Sequence, residues 1–72
     1  MSKTTWEDLV TTDGQLIRLE IPTDHQDEII EAINNAQRRG DDWSPQMIEG
    51  CKAEYMGMPL SRVNMQKVIG WL

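Results

Sequence analysis

Residues Glu49–Leu72 read EGCKAEYMGMPLSRVNMQKVIGWL, and this stretch decides the fold expected for the second half of the chain. A helix is predicted to enter it from the N-terminal side, over about residues 45–56. Ser44 is a typical helix cap, Pro45 suits the first helical position, and Gly57 suits the residue that ends a helix. Between these limits, apolar side chains recur at helical spacing: Met47, Ile48, Cys51 and Tyr55.

Pro59 keeps the next residues from continuing this helix, and Ser61 begins a further predicted helix over about residues 61–71. Its apolar side chains recur at i, i+3, i+4 and i+7: Met65, Val68, Ile69 and Leu72. Three more apolar residues lie on the neighbouring face: Leu60, Val63 and Trp71. So broad an apolar surface fits either the core of the domain or a surface that binds a partner or a second copy of the chain.

Residues 6–21 are predicted to form a β-hairpin. Asp13-Gly14 is a strong signal for a two-residue turn, in which both residues adopt a positive φ. Such a turn sets the cross-strand pairs as Val10 with Ile17, Asp8 with Leu19, and Trp6 with Ile21. One face then carries five apolar residues, with Asp8 the exception: Trp6, Val10, Ile17, Leu19 and Ile21. Residues 5–8 are also compatible with a first turn of helix, and the sequence leaves this alternative open.

A helix over about residues 24–39 is predicted after Pro22. Thr23 and Gln26 have the spacing of a capping box, in which each side chain accepts from a free backbone N–H of the other. Acidic residues fill the first turn and two arginines the last, which suits the helix dipole, and Gly40 suits the C-terminal end. One apolar stripe faces the core: Ile29, Ile30, Ile33 and Ala36. The expected fold is therefore α+β, a single domain over residues 1–72 with an N-terminal β-hairpin followed by three helices.

The chain of 72 residues carries 12 acidic and 7 basic side chains, a net charge of −5 with His neutral. A protein this acidic repels nucleic acid over long range, so its net charge disfavours DNA as a partner. No apolar run is long enough for a membrane span or a signal peptide. Cys51 is the one cysteine, and a lone thiol suits a reducing compartment. We expect a cytoplasmic protein without membrane contact.

Few side chains are suited to catalysis or to metal binding. His25 is the one histidine, and Glu28 adds a second ligand but not the third that a metal site needs. Cys51 has no histidine or second cysteine close in sequence to form a thiolate nucleophile. The sequence has no phosphate-binding glycine loop and no nucleophile motif. We therefore expect no enzymatic activity, no cofactor and no metal.

Ala53, Gly57 and Val63 have the spacing of a helix-turn-helix, and residues 49–69 resemble that motif of phage and bacterial transcriptional regulators. The resemblance implies that Ala53 lets two helices approach, that Gly57 provides the turn, and that Val63 packs the second helix on the first. Gln66 departs from the pattern, which has an apolar residue there. The resemblance also implies residues that face the DNA major groove, with Lys67 available for phosphate: Ser61, Arg62, Asn64 and Met65.

In overall character, the short acidic chain with its regulator-like second half resembles small phage-encoded regulators that bind host RNA polymerase. We expect a non-catalytic regulator that acts by protein–protein binding, with RNA polymerase as the candidate partner and the host cytoplasm as its location. The alternative is a sequence-specific helix-turn-helix repressor that contacts DNA through Ser61, Arg62, Asn64 and Lys67. The residues expected to bind a protein partner are Trp6, Asp24, Asp27, Glu28, Glu31, Trp71 and Leu72.

Overall fold

The computed structural model describes residues 3–72 and consists of a five-stranded antiparallel sheet with one α-helix packed on one of its faces. Met1 and Ser2 of the predicted domain lie outside the described residues. The strands of the main sheet follow the order β5-β4-β2-β1-β7, and β3 and β6 form a separate antiparallel pair. In chain order the elements are β1 (Thr4–Thr11), β2 (Leu16–Pro22), α1 (Gln26–Arg39), β3 (Asp42–Trp43), β4 (Lys52–Tyr55), β5 (Met58–Leu60), β6 (Val63–Asn64) and β7 (Val68–Trp71).

The expected fold class, a hairpin followed by three helices, is wrong. The described residues form seven strands and one α-helix, with three short 3-10 turns at Thr23–His25, Pro45–Met47 and Met65–Lys67. The predicted helix 45–56 is replaced by a 3-10 turn and β4, and the predicted helix 61–71 by β6, a 3-10 turn and β7. The two helices of the helix-turn-helix resemblance are therefore absent from the described part of the chain.

Around β4 the sequence alternates between apolar and charged residues with a period of two, which favours a strand. Cys51 and Ala53 are buried, whereas Lys52 and Glu54 between them are exposed. Such alternation is the pattern of a half-buried strand. It competes with the helical spacing of 3.6 residues, which Met47, Ile48, Cys51 and Tyr55 also satisfy. Short helices are marginal unless tertiary packing supports them, so pairing with β2 prevails here.

Ala53, Gly57 and Val63, the residues with helix-turn-helix spacing, belong to strands or to the turn between two strands. Met56 and Gly57 have φ angles of 52° and 81° and connect Tyr55 to its cross-strand partner Met58. Two successive positive φ angles in a two-residue loop define a type I′ hairpin turn. Gly57 thus joins two strands instead of ending a helix, and Ala53 and Val63 are buried in β4 and β6.

The N-terminal hairpin is present, but its register differs by one residue from the prediction. Its loop has three residues, since Thr11 N–H donates to the Gln15 carbonyl (2.9 Å) and Gly14 N–H to the Thr11 carbonyl (3.0 Å). Gly14, with φ of 83°, occupies the left-handed position that ends such a loop. The observed pairs are Val10 with Leu16, Leu9 with Ile17, Asp8 with Arg18, and Trp6 with Glu20.

A shift of one residue exchanges the two faces of a strand. Leu9 is therefore fully buried beside Ile17, whereas Trp6 and Val10 lie on the opposite face of the sheet. Asp8, the exception in the predicted apolar face, lies with them and away from the core. The alternative of a helical turn over residues 5–8 is also wrong, because these residues belong to β1.

The helix predicted over residues 24–39 is present as α1 with a preceding 3-10 turn. Gly40 ends α1, as predicted, and its φ of 70° is the left-handed conformation that glycine adopts readily at a helix end. The predicted capping box is wrong, because no side chain caps either the helix or the 3-10 turn, and Thr23 N–H donates to the Lys3 carbonyl instead. Three residues of the predicted stripe are buried against the sheet: Ile29, Ile33 and Ala36.

The core lies between α1 and one face of the main sheet, and β3 and β6 extend it past the end of the helix. Trp43 pairs with Val63 across these two strands, and both are buried. Ser44 donates its hydroxyl to the Ser61 carbonyl (3.2 Å) and caps no helix. Within residues 3–72, no helix has both the length and the apolarity to cross a membrane.

Candidate interaction surface

The face of the main sheet turned away from α1 is covered by no other element of the described chain. Successive side chains of a strand alternate between the two faces, and one set faces the core: Leu9, Ile17, Leu19, Ile21 and Ala53. The other set defines what we name the open face: Trp6, Asp8, Val10, Leu16, Arg18, Glu20, Lys52 and Glu54.

The centre of the open face is a row of opposite charges. Arg18 lies between Asp8 on β1 and Glu54 on β4, and its Nε is 3.9 Å from the Asp8 carboxylate. Glu20 and Lys52 form a second pair of opposite charge. Cross-strand pairs of this kind stabilise a solvent-facing sheet by roughly 0.2–1 kcal/mol each, at the lower end when exposed. These charged pairs therefore need no binding partner to explain them, because they stabilise a sheet face that contacts water.

Apolar side chains of β1 and β2, and Leu72 after the end of β7, lie beside this charged row. Trp6 is 55% exposed, Leu16 is 44% exposed, and Val10 lies directly opposite Leu16. Leu72 N–H donates to the Asp8 carbonyl (3.0 Å), which places the 79% exposed Leu72 beside Asp8 and diagonal to Trp6 and Val10. We name the four apolar residues Trp6, Val10, Leu16 and Leu72 the Trp6 patch. Diagonal neighbours on a sheet are close enough for long side chains to act together.

Arg18 orients the tryptophan of this patch. Its guanidinium carbon is 5.6 Å from the centre of the Trp6 ring, which is within range of a cation–π interaction. At an exposed site this interaction is worth about 0.5–1 kcal/mol. A side chain that is already ordered in the free protein loses less conformational entropy when it binds a partner.

The acids predicted to bind a partner lie together at the N-terminal end of α1. The members of this group are all exposed: Asp24, Asp27, Glu28 and Glu31. His25 Nδ1 is 3.2 Å from the Glu28 carboxylate, so one of these acids already has a polar neighbour. Glu49 and Lys3 border the same shallow cleft as Asp24, next to the end of β2. The structure thus places four exposed acids in and beside the first two turns of α1.

Trp71 and Leu72, predicted as one binding element, are separated by the structure. Trp71 lies opposite Leu9, on the core side of the sheet, and its Nε1 donates to the Asn34 side-chain oxygen (2.8 Å). Leu72 belongs to the Trp6 patch on the other side. Leu72 is therefore placed to bind together with Trp6, whereas the indole of Trp71 already contacts α1.

The residues of the DNA-binding alternative are exposed but are not carried by a helix. Ser61 and Arg62 precede β6, Asn64 belongs to β6, and Lys67 ends the following 3-10 turn. Arg62 Nη1 is 3.5 Å from the Asp42 carboxylate, and the Asn64 side-chain oxygen accepts from Gln66 N–H. Their contact with DNA stays a prediction, now without the recognition helix on which it depended.

The described residues offer no arrangement suited to metal binding. No group of three or more His, Cys, Asp or Glu side chains in residues 3–72 could hold a metal ion together.

Cys51 is buried, and burial, helped by the negative charge of Glu20, raises the pKa of its thiol. A raised pKa keeps the sulfur protonated and unreactive at neutral pH.

Sequence reasoning missed most of the open face. The sequence singles out Trp6 and Leu72 as partner-binding residues, but it places Val10 on one apolar face with Ile17 and gives Leu16 and Arg18 no binding role. The signal that could have found them was Asp8, whose predicted position in an apolar face indicated the other register.

Comparisons with known protein families, with curated proteins and with solved structures find no match to this chain.

Proposed function

We propose that this chain is a non-catalytic regulator that works by binding another protein through the open face of its sheet. The observation that carries the proposal is the exposed indole of Trp6, with the Arg18 guanidinium over its ring. Tryptophan and arginine are among the residue types most enriched at binding hot spots. A sheet face that only contacts water needs no such group, because charged cross-strand pairs alone suit it to solvent.

The charge of the chain supports a partner with a basic surface. The net charge is −5, and the exposed acids at the N-terminal end of α1 concentrate part of it. Complementary charge speeds association with the correct partner and disfavours others. Host RNA polymerase, suggested by the resemblance to small phage-encoded regulators, is the first partner to test. The cytoplasm is the compartment in which this function would operate.

A binding measurement with purified bacterial RNA polymerase tests the proposal directly. The immobilised chain is exposed to the polymerase and, in parallel, to a nuclease-treated lysate whose retained proteins are identified by mass spectrometry. We expect a protein partner that survives nuclease treatment and whose affinity falls about tenfold or more in Trp6→Ala, as for a hot-spot residue.

Met47→Ala provides the matched control. Met47 is 82% exposed and lies outside the main sheet, so its removal deletes apolar surface without changing the open face. Circular dichroism and thermal unfolding establish that both variants fold. A partner lost equally in the two variants would contradict the role of the open face. Retention of nuclease-sensitive DNA with no protein would contradict protein binding as the function.

A further inference from the structure

A concave surface lies on the core side of the sheet, opposite the open face. It is bounded by the loop of the first hairpin, by β4 and β5, and by residues 62–67, and we name it the hairpin groove. Its volume is about 530 Å³. Cavities that bind small molecules commonly measure about 300–1,000 Å³, so the groove has the size of a ligand site.

The floor of the groove is apolar and ordered by strand pairing. Ile17 lies directly opposite Tyr55 on β2 and β4, and Leu60 of β5 lies beside them, opposite Ala53. Val63, which is buried, closes the floor from the side of β6. Tyr55 and Leu60 are only partly buried, so their side chains are available for contact with a flat apolar group.

The rim of the groove carries two cations and one carboxylate. Arg62 and Lys67 stand on its edge, and Asp13 is the acid among the lining residues. The Arg62 side chain is 73% exposed, and its Nη1 lies 3.5 Å from Asp42 outside the groove, which positions the guanidinium. A guanidinium has five donors, so this contact leaves others for a ligand.

Two neutral groups complete the rim. The Asn64 side-chain oxygen accepts from Gln66 N–H (3.0 Å), so the amide hydrogens of Asn64 are what this side chain can offer a ligand. Thr12 adds a hydroxyl from the hairpin loop. Arg62, Asn64 and Lys67, selected in the sequence as DNA-contacting residues, thus converge on one groove instead of one helix.

We propose that the hairpin groove binds a small anion with a flat apolar body, namely an aromatic carboxylate or phosphate. The apolar floor takes the ring, and Arg62 and Lys67 take the anionic group. The lining carries Arg62 and Lys67 beside one carboxylate, Asp13, and Asp42 lies 3.5 Å from Arg62, so the free N–H donors of the two cations, and not an excess of positive charge, favour an anionic group. The groove and the open face lie on opposite sides of the sheet, so this inference does not depend on the proposed protein partner.

Nuclear magnetic resonance titration of the ¹⁵N-labelled chain tests the site with defined probes. Phenyl phosphate carries both the ring and the anion, phenol carries the ring alone, and inorganic phosphate carries the anion alone. We expect phenyl phosphate to bind most tightly and to shift the backbone amides of Tyr55, Leu60 and Arg62. Benzoate added in a separate titration then distinguishes a preference for carboxylate from one for phosphate.

Arg62→Gln and Arg38→Gln form a matched pair, because each removes one exposed positive charge. We expect Arg62→Gln to weaken phenyl phosphate binding by about fivefold or more, as loss of a charge-assisted hydrogen bond predicts, and Arg38→Gln to leave it nearly unchanged. Lys67→Gln provides a second groove variant in case Arg62→Gln does not fold.

Four results would overturn the proposal. These are the absence of saturable shifts, shifts confined to residues of the open face such as Trp6 and Leu16, inorganic phosphate binding as tightly as phenyl phosphate, and equal weakening in Arg62→Gln and Arg38→Gln. The last two would reduce the effect to general attraction of anions.

Discussion

The indole Nε1 of Trp71 donates a hydrogen bond to the side-chain oxygen of Asn34 over 2.8 Å, and this contact joins the edge strand β7 to α1. One turn further along the helix, Gln37 Nε2 donates to the Ile69 carbonyl over 2.7 Å. An edge strand exposes unpaired backbone groups that invite pairing with other chains. Both side-chain amides therefore hold β7 on α1, and that of Gln37 also satisfies a backbone carbonyl of the free edge.

Asn34→Ala is expected to loosen β7. Removal of the acceptor leaves the Trp71 indole N–H without its partner, at a cost of about 0.5–1.5 kcal/mol in the free energy of unfolding. Urea denaturation measures this cost, and hydrogen exchange should show faster exchange of the β7 amides. Asn35→Ala is the control, because the side-chain oxygen of Asn35 accepts from Arg38 on the same helix and not from β7. Equal effects of both substitutions would contradict the link between α1 and β7.

Leu9→Ala and Val10→Ala distinguish the observed register of the first hairpin from the predicted one. Leu9 is fully buried, whereas Val10 is partly exposed on the open face. We expect Leu9→Ala to lower the free energy of unfolding by about 2–5 kcal/mol and Val10→Ala to lower it by much less. The order would be reversed if a two-residue turn placed Val10 in the core. Thermal or urea unfolding of the two variants gives the answer.

Met56→Asn is expected to stabilise the protein. Met56 has φ of 52°, a conformation that asparagine adopts more readily, and Asn-Gly is the preferred pair for a type I′ turn. The gain should be a few tenths of a kcal/mol up to about 1 kcal/mol. Met58→Asn serves as control, since Met58 is also exposed but does not have a positive φ. Stabilisation by both substitutions would point to removal of exposed apolar surface as the cause.

Asp13 links stability to acidic pH through its neighbour Thr11. The Thr11 hydroxyl donates to the Asp13 carboxylate and lowers the pKa of that carboxyl below its ordinary value of 3.8. The folded state then binds the proton less tightly than the unfolded state. Its contribution to stability is present above pH 3.8 and is lost as the pH falls through the lowered pKa.

Thr11→Val removes this donor, so the pKa of Asp13 should rise towards 3.8, and the loss of stability in acid should shrink. Thr12→Val is the control because it alters the adjacent, exposed threonine. Carboxyl-carbon resonances followed against pH report the pKa, and urea unfolding at each pH reports the stability. An unchanged Asp13 titration in Thr11→Val would show that the hydroxyl is not the cause.

Local signals in the first half of the chain were sufficient for the elements but not for their pairing. Gly40 ended α1 as predicted, and the strand from Leu16 to Pro22 buried alternate residues. The loop length was the error, because Asp13-Gly14 fits both a two-residue turn and the last positions of a three-residue loop. The Thr11 side chain, which accepts from Gln15 N–H and donates to Asp13, favours the longer loop.

In the second half, two periodicities compete in the same residues. Cys51 and Tyr55 are four residues apart and fit one face of a helix, but with Ala53 they also fit alternate positions of a strand. The choice depends on the free edge of β2, against which β4 pairs from Lys52 to Tyr55. That edge is distant in sequence, so no local pattern could reveal it.

The sequence by itself determined that an amphipathic helix lies within about residues 24–39, that a hairpin precedes it, and that the chain is acidic. Each of these follows from residues close together in the chain or from composition. Only the tertiary structure decided which face of β1 is buried, that Ala53 and Val63 belong to strands, and that Trp6, Arg18 and Leu72 share an uncovered face. The physical reason is that a strand gains its hydrogen bonds and its buried face from neighbours far away in sequence, whereas a helix satisfies its backbone within itself.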